Sequence, residues 1–231
     1  MPYIGFMDPT YILVIIGIVI TMAASAKVNS SFSKYSRIRS LSGVTGAAAA
    51  SKILQSQGIN DVRIERVSGN LTDHFDPRNK VLRLSDTVYG STSVAALGVA
   101  AHECGHAVQH NEGYIPLKIR AALVPVVNFG SRLSWPIILM GLLFGTNETL
   151  LNLGIFLFSF GVLFQIVTLP VEFNASSNAI IMLERTGILH TKELGHAKKV
   201  LQAAALTYVA SAAASLLQLL RLVLLFGRRR D

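Results

Sequence analysis

Residues 102–106 read His-Glu-Cys-Gly-His. On a helix, two residues four apart differ by only about 40° in direction, so both imidazoles can reach one metal ion. Zinc takes imidazole nitrogens at roughly 2.0–2.1 Å in a tetrahedral shell. Glu103 stands about 100° round from His102. That is too far for easy ligation, but well placed to take a proton from a water that the ion polarises. The pattern is the H-E-x-x-H signature of zinc peptidases. The rival explanation is a buried helix with two hydrogen-bonded histidines. The apolar run Ala95–Ala101 ahead of the motif suits a catalytic helix buried beside a strand and weighs against it. Gly105 adds no side chain, so another element can pack close to this turn.

A catalytic zinc keeps three protein ligands and one open position. Glu172 is the leading third ligand. It follows an uncharged span directly, in Pro170-Val171-Glu172-Phe173-Asn174-Ala175-Ser176, and returns to the membrane side of His102. It is expected to head a helix that crosses the first, where a carboxylate could instead serve only the helix dipole. His110 is the main competitor, but three ligands in line on one straight helix cannot surround an ion. His196, Asp73, Asp76 and Glu184 are weaker candidates, and His74 is a possible polar donor near the site.

These residues need elements to hold them. Ser42 can cap a helix ending at Gly58, and Val62–Val67 reads as a short strand. Ser68–Asn79 holds Gly, Asn, Asp and Pro, which reads as a loop. Lys80–Ser85 alternates polar and apolar, as a half-buried strand does. A helix from about Ser93 to His110 carries the motif. The expected fold is a mostly α membrane protein with a small α+β catalytic unit of the zincin kind.

The chain has 231 residues, 51% hydrophobic and 15% charged, with mean hydropathy +0.48. Soluble domains carry about 25% charged residues, so lipid is part of this protein's solvent. The single Cys104 excludes an internal disulfide framework. The net charge of +8 sits beside apolar runs, where it suits anionic lipid headgroups. No recognition helix or basic stripe with aromatics points to nucleic acid. Thr10–Ala26 is uncharged, and counted from Tyr3 the segment reaches the roughly 20 residues a crossing needs. Met1–Asp8 has no Lys or Arg, so the segment reads as an anchor and not a cleaved signal. Lys27, Lys34, Arg37 and Arg39 follow it and mark the cytoplasmic side. Ala121–Gly145, interrupted by Pro125, Arg132 and Pro136, and Leu150–Leu169 form an apolar hairpin. Val200–Phe226 is apolar but contains Arg221 and leads into Arg228-Arg229-Arg230, so its crossing is left open. The expected organisation is an anchor at 1–27, the catalytic unit at 28–120, the hairpin at 121–170, and a helical segment at 171–231 bearing the third ligand.

Taken together, the chain resembles the bacterial multi-pass membrane family of neutral zinc metallopeptidases. The resemblance rests on Asp73-His74-Phe75-Asp76-Pro77, on Lys80–Ser85, on Ala95–Gln109, on Leu169–Ser176 and on the Ala-rich tail. It covers nearly the whole chain. More distantly the chain is similar to gluzincin membrane proteases of the heat-shock quality-control and prenyl-protein types. Those relatives carry a Glu third ligand in a Glu-aromatic-x-Ala-Asp stretch, which implies Glu172 here. Ser176 stands where they have Asp, the acid that supports a zinc-ligating histidine; Ser176 or Asn174 is expected to take over that support.

The expected chemistry is peptide hydrolysis with one Zn2+ and Glu103 as general base. The strand Lys80–Ser85 could offer a free edge to an extended substrate, with Leu82 and Leu84 touching it. Substrates would be proteins or peptides, among them membrane or unfolded proteins, met at the cytoplasmic face of the bacterial plasma membrane. A metal-binding scaffold without turnover needs the histidines but not Glu103. A transporter would put its ionisable residues in the spans, and the clearest spans are uncharged.

Overall fold

Ten elements follow one another in a computed structural model that describes residues 8–227. In chain order they are α1 (Tyr11–Tyr35), α2 (Gly46–Ser56), β1 (Arg63–Val67), β2 (His74–Asp76), β3 (Val81–Ser85), α3 (Asp86–Tyr89), α4 (Val94–Asn111), α5 (Ile115–Leu143), α6 (Glu148–Arg185) and α7 (Thr191–Phe226). They divide into two compact units. One holds residues 26–117 and 170–206; the other holds the remainder. The segment expected as a single piece from 171 to 231 therefore divides at residue 206. Arg228, Arg229 and Arg230, and all but the last residue of Met1–Asp8, lie outside the described residues.

In the unit of residues 26–117 and 170–206, Ser93 starts the motif helix. Its Oγ accepts from the Ala96 N–H at 3.2 Å, satisfying one of the first-turn donors that a helix leaves open. Thr45, not Ser42, caps α2 in the same way. The sheet order is β1-β3-β2. β1 runs parallel to β3, with Ile64 opposite Leu82, and β2 runs antiparallel, with Phe75 opposite Leu82. Period-two alternation sends Leu82 and Leu84 inward, where both are fully buried among Ile53, Val88, Leu97 and Cys104. It sends Arg83 to the opposite face, where the guanidinium meets Glu65 at 3.4 Å and Asp76 at 3.2 Å.

Two expectations about this sheet are corrected. Residues 74–76, read as loop, form the edge strand β2. The flanking residues are turn formers: Asp76 accepts from the Arg78 and Asn79 backbone N–H groups, closing the reversal into β3. The Asn79 side chain and amide hold the Asp76 carboxyl down to about 2. The strand Lys80–Ser85, expected to have a free edge, is central and paired on both sides, which leaves β1 and β2 as the edge strands.

The other unit is helical. Its helices belong to a set of four that are long and apolar enough to cross a membrane. They approach at small residues: Gly17 lies against Ala214, and Gly130 against the Leu157 carbonyl. Pro125 and Pro136 sit inside α5, and Pro170 inside α6, without ending either helix. Each proline removes one donor, a loss that long apolar helices tolerate. Arg221 is met within this unit by Asp8 at 3.8 Å and by the Tyr11 ring at 4.2 Å.

Candidate metal centre

Two helices build the centre. α4 supplies His102 and His106, whose rings stand edge to face with centroids 4.8 Å apart. α6 supplies Glu172, 2% exposed. One oxygen, Glu172 Oε2, lies 3.3 Å from His102 Nε2 and 3.6 Å from His106 Nε2. All three ligand atoms fall within 4.8 Å of one another. Two ligands held about 2.0–2.1 Å from one tetrahedral centre stand roughly 3.3 Å apart. The donor set and its spacing therefore fit zinc. The helices come this close because residue 105 is glycine. A Cβ there would meet the Ala175 carbonyl oxygen at 2.7 Å and its Cα at 3.1 Å.

Hydrogen bonds determine which imidazole nitrogen faces the centre. Gln109 is 1% exposed. Its Nε2 donates to the Val171 carbonyl at 2.8 Å and to Asn174 Oδ1 at 2.8 Å. A carbonyl can only accept, so the amide orientation of Gln109 is fixed, and its Oε1 turns to His106 Nδ1 at 3.0 Å. His106 must then carry a proton on Nδ1, which leaves Nε2, facing Glu172, as the nitrogen that can ligate an ion. Ser176 Oγ meets His102 Nδ1 at 3.2 Å, and as acceptor it gives His102 the same tautomer. Ser176 thus stands where it can support a histidine directly. Asn174 acts one step further out, and its Oδ1 also accepts from Asn178 Nδ2 at 3.2 Å.

Electrostatics favour a cation here. Burial works against a charge on His106, but the bond to Glu172 and the nearby Glu103 charge outweigh it, holding its pKa above the usual value. Two carboxylates around two imidazoles leave a negative site, which a dication balances. Glu103 is 8% exposed, and Cys104, its neighbour, is buried with its thiol pushed up by burial.

Other expected site residues lie elsewhere. Glu172 sits in the middle of α6, not at a helix head, so no helix N-terminus competes for its charge. His74 pairs with Arg83 on the outer sheet face, and its Nδ1 meets the Thr72 carbonyl at 2.8 Å. It does not join the metal cluster. Leu82 and Leu84 are sealed in the core and offer a substrate nothing. His110 packs its ring on Phe75, centroids 5.9 Å apart, and His196 stacks on Tyr35 at 5.1 Å. Asp73 accepts from the Ser85 N–H and hydroxyl. Gln109 was missed. Its signal was a polar residue about one turn beyond His106, close to the face that carries both histidines.

With this geometry in place, the comparisons are specific. Residues 10–227 match the family described as "Putative neutral zinc metallopeptidase". The chain belongs to this family. It is 50% identical over 208 residues to the "Putative membrane protease YugP" of Bacillus subtilis (strain 168), covering 90% of this chain and 92% of that protein. No solved structure matches the chain. The family description names a zinc-dependent peptidase, and the four apolar helices fit a membrane protein.

Proposed function

We propose that this protein is a membrane zinc endopeptidase in which His102 Nε2, His106 Nε2 and Glu172 Oε2 hold one zinc ion and Glu103 is the general base. The observation that carries the reading is the placement of one buried carboxylate oxygen 3.3 and 3.6 Å from two imidazole nitrogens whose other nitrogens are already engaged. Bound zinc supplies Lewis acidity, which makes a water nucleophilic near neutral pH and polarises a carbonyl. The chain's own groups do the rest. Glu103 takes the proton of the attacking water and returns it to the leaving amine, so that the amine departs neutral. Gln109 and Ser176 keep both imidazoles oriented through this cycle. The open edge of β2 offers main-chain groups to an extended polypeptide, which favours unfolded segments over folded ones. The run of cations from Lys27 to Arg39 supports an active site on the cytoplasmic side. Membrane or unfolded proteins are the substrates that this placement suits.

The test is metal analysis and casein cleavage by the purified protein. Wild type should carry one zinc per chain and cleave until a chelator is added. Glu103→Gln should keep the zinc and lose turnover by roughly 10²–10⁴-fold, the usual worth of a general base. Cleavage by that variant at the wild-type rate would remove Glu103 from the mechanism.

A further inference from the structure

The proposed chemistry leaves one cavity unused. About 240 Å³ lies open between the last turns of α4 and the sheet, lined by Ile59, Val62, Phe75, Lys80, Ala107 and His110. It is smaller than the roughly 300–1,000 Å³ of sites that enclose a whole small ligand, and far larger than one water needs. Exposed Lys80 pairs with Asp61, which also borders the cavity, so the two charges there answer each other. Ile59, Val62, Phe75 and Ala107 present the apolar side, while His110 and Asn111 add polar groups at the α4 end. The space suits one uncharged side chain.

Its position says whose side chain. Ala107 and His110 follow Glu103 by four and seven residues, which keeps all three on one stripe of α4. They lie about 6 and 10.5 Å beyond Glu103 along the helix axis. An extended chain advances about 3.3 Å per residue. A peptide whose scissile bond sits at Glu103 would therefore bring the side chain two or three residues away over this cavity. Phe75 lies in β2, an edge strand of the sheet, and turns its ring to His110. Phe75 therefore belongs both to an edge strand and to the cavity wall.

We infer that this cavity is a specificity subsite that takes a large apolar side chain of the substrate, two or three residues from the bond cleaved. The inference rests on the peptidase reading above. The test uses the full-length, zinc-loaded protein to digest a peptide library, with cleaved ends read by mass spectrometry. Wild type should enrich large aliphatic or aromatic residues at one such position. Val62→Phe adds bulk to the cavity wall and should shift the kcat/KM ratio toward Ala or Gly by about tenfold or more, the discrimination of a few methylenes. Phe75→Ala enlarges it and should shift preference toward Trp, so a second variant stands if the first does not fold. Zinc content and melting temperature verify each variant. Unchanged preference in the folded, zinc-loaded variants, or no enrichment in wild type, overturns the subsite while leaving the peptidase. A zinc-loaded wild type that cuts no peptide overturns both.

Discussion

Gln109 decides how His106 meets an ion. Its amide is fixed by the Val171 carbonyl, and that in turn fixes the His106 tautomer. Gln109→Leu fills similar space but removes two donors and an acceptor. We expect zinc affinity to fall about 10–100-fold, the usual effect of losing such a supporting partner, with the fold retained. Competition against a chelator of known affinity measures it; an unchanged Kd would mean that packing alone orients the ring. At this scale the sequence was most legible where chemistry demands a particular residue type at a short spacing. His102 and His106 could be placed side by side directly because one helix turn separates them. Gln109 could not, because its role depends on a carbonyl 62 residues away in the chain. Leu82 and Leu84 lie in the core and not at a substrate surface for a related reason: the face on which a strand residue lies depends on its register, and a one-residue shift reverses it.

At the scale of elements, the crossing of α4 and α6 makes the site. Two residues permit it: Gly105, and Ala175 beneath it. Gly105→Ala forces a Cβ to 2.7 Å from the Ala175 oxygen. Overpacking of that kind costs about 1–3 kcal/mol, and relief requires the helices to part, drawing Glu172 from the histidines. We expect a lower melting temperature together with loss of zinc. Gly195→Ala is the control, since a Cβ there meets nothing within 4 Å; its helix should gain up to about 1 kcal/mol. Equal behaviour of the two variants would show that the crossing is not set by residue 105. The sequence marked Gly105 as a place for close packing but named no partner. It also marked Pro125 and Pro136 as interruptions, either a kink in one span or the joint between a surface helix and a short span, and it placed a helix head near Glu172. Those readings applied the rules of helices in water, where a proline usually ends the helix. In an apolar helix the surrounding backbone has no water to turn to, so continuing the helix costs less than stopping it. The strand β2 was hidden for the opposite reason: three residues between turn formers carry too little pattern of their own and become a strand only by pairing with β3.

At the scale of the whole molecule, charge sets orientation. Lys27 and Lys34 stand in the second half of α1 and Arg37 and Arg39 just beyond it, whereas the connection from α5 into the first turn of α6, with Thr146-Asn147-Glu148-Thr149, has no cation. Cations near a span stay cytoplasmic, so residues between α1 and α5 should be inside and that connection outside. The one native cysteine makes the experiment clean. Cys104 is buried, and burial raises its thiol pKa well above the usual value. Reagents that need an accessible thiolate should pass it by in the folded protein. Reporter cysteines at two exposed positions, Asn60→Cys and Glu148→Cys, then give separate signals. A membrane-impermeant maleimide added to intact cells should label the second and spare the first, and should label both once the membrane is opened. Labelling of Asn60→Cys in intact cells would put the catalytic unit outside. The metal chemistry would stand, because it depends only on the contacts of α4 and α6. The substrates would then have to be sought among proteins outside the cytoplasm, and the cations from Lys27 to Arg39 would need another explanation than orientation.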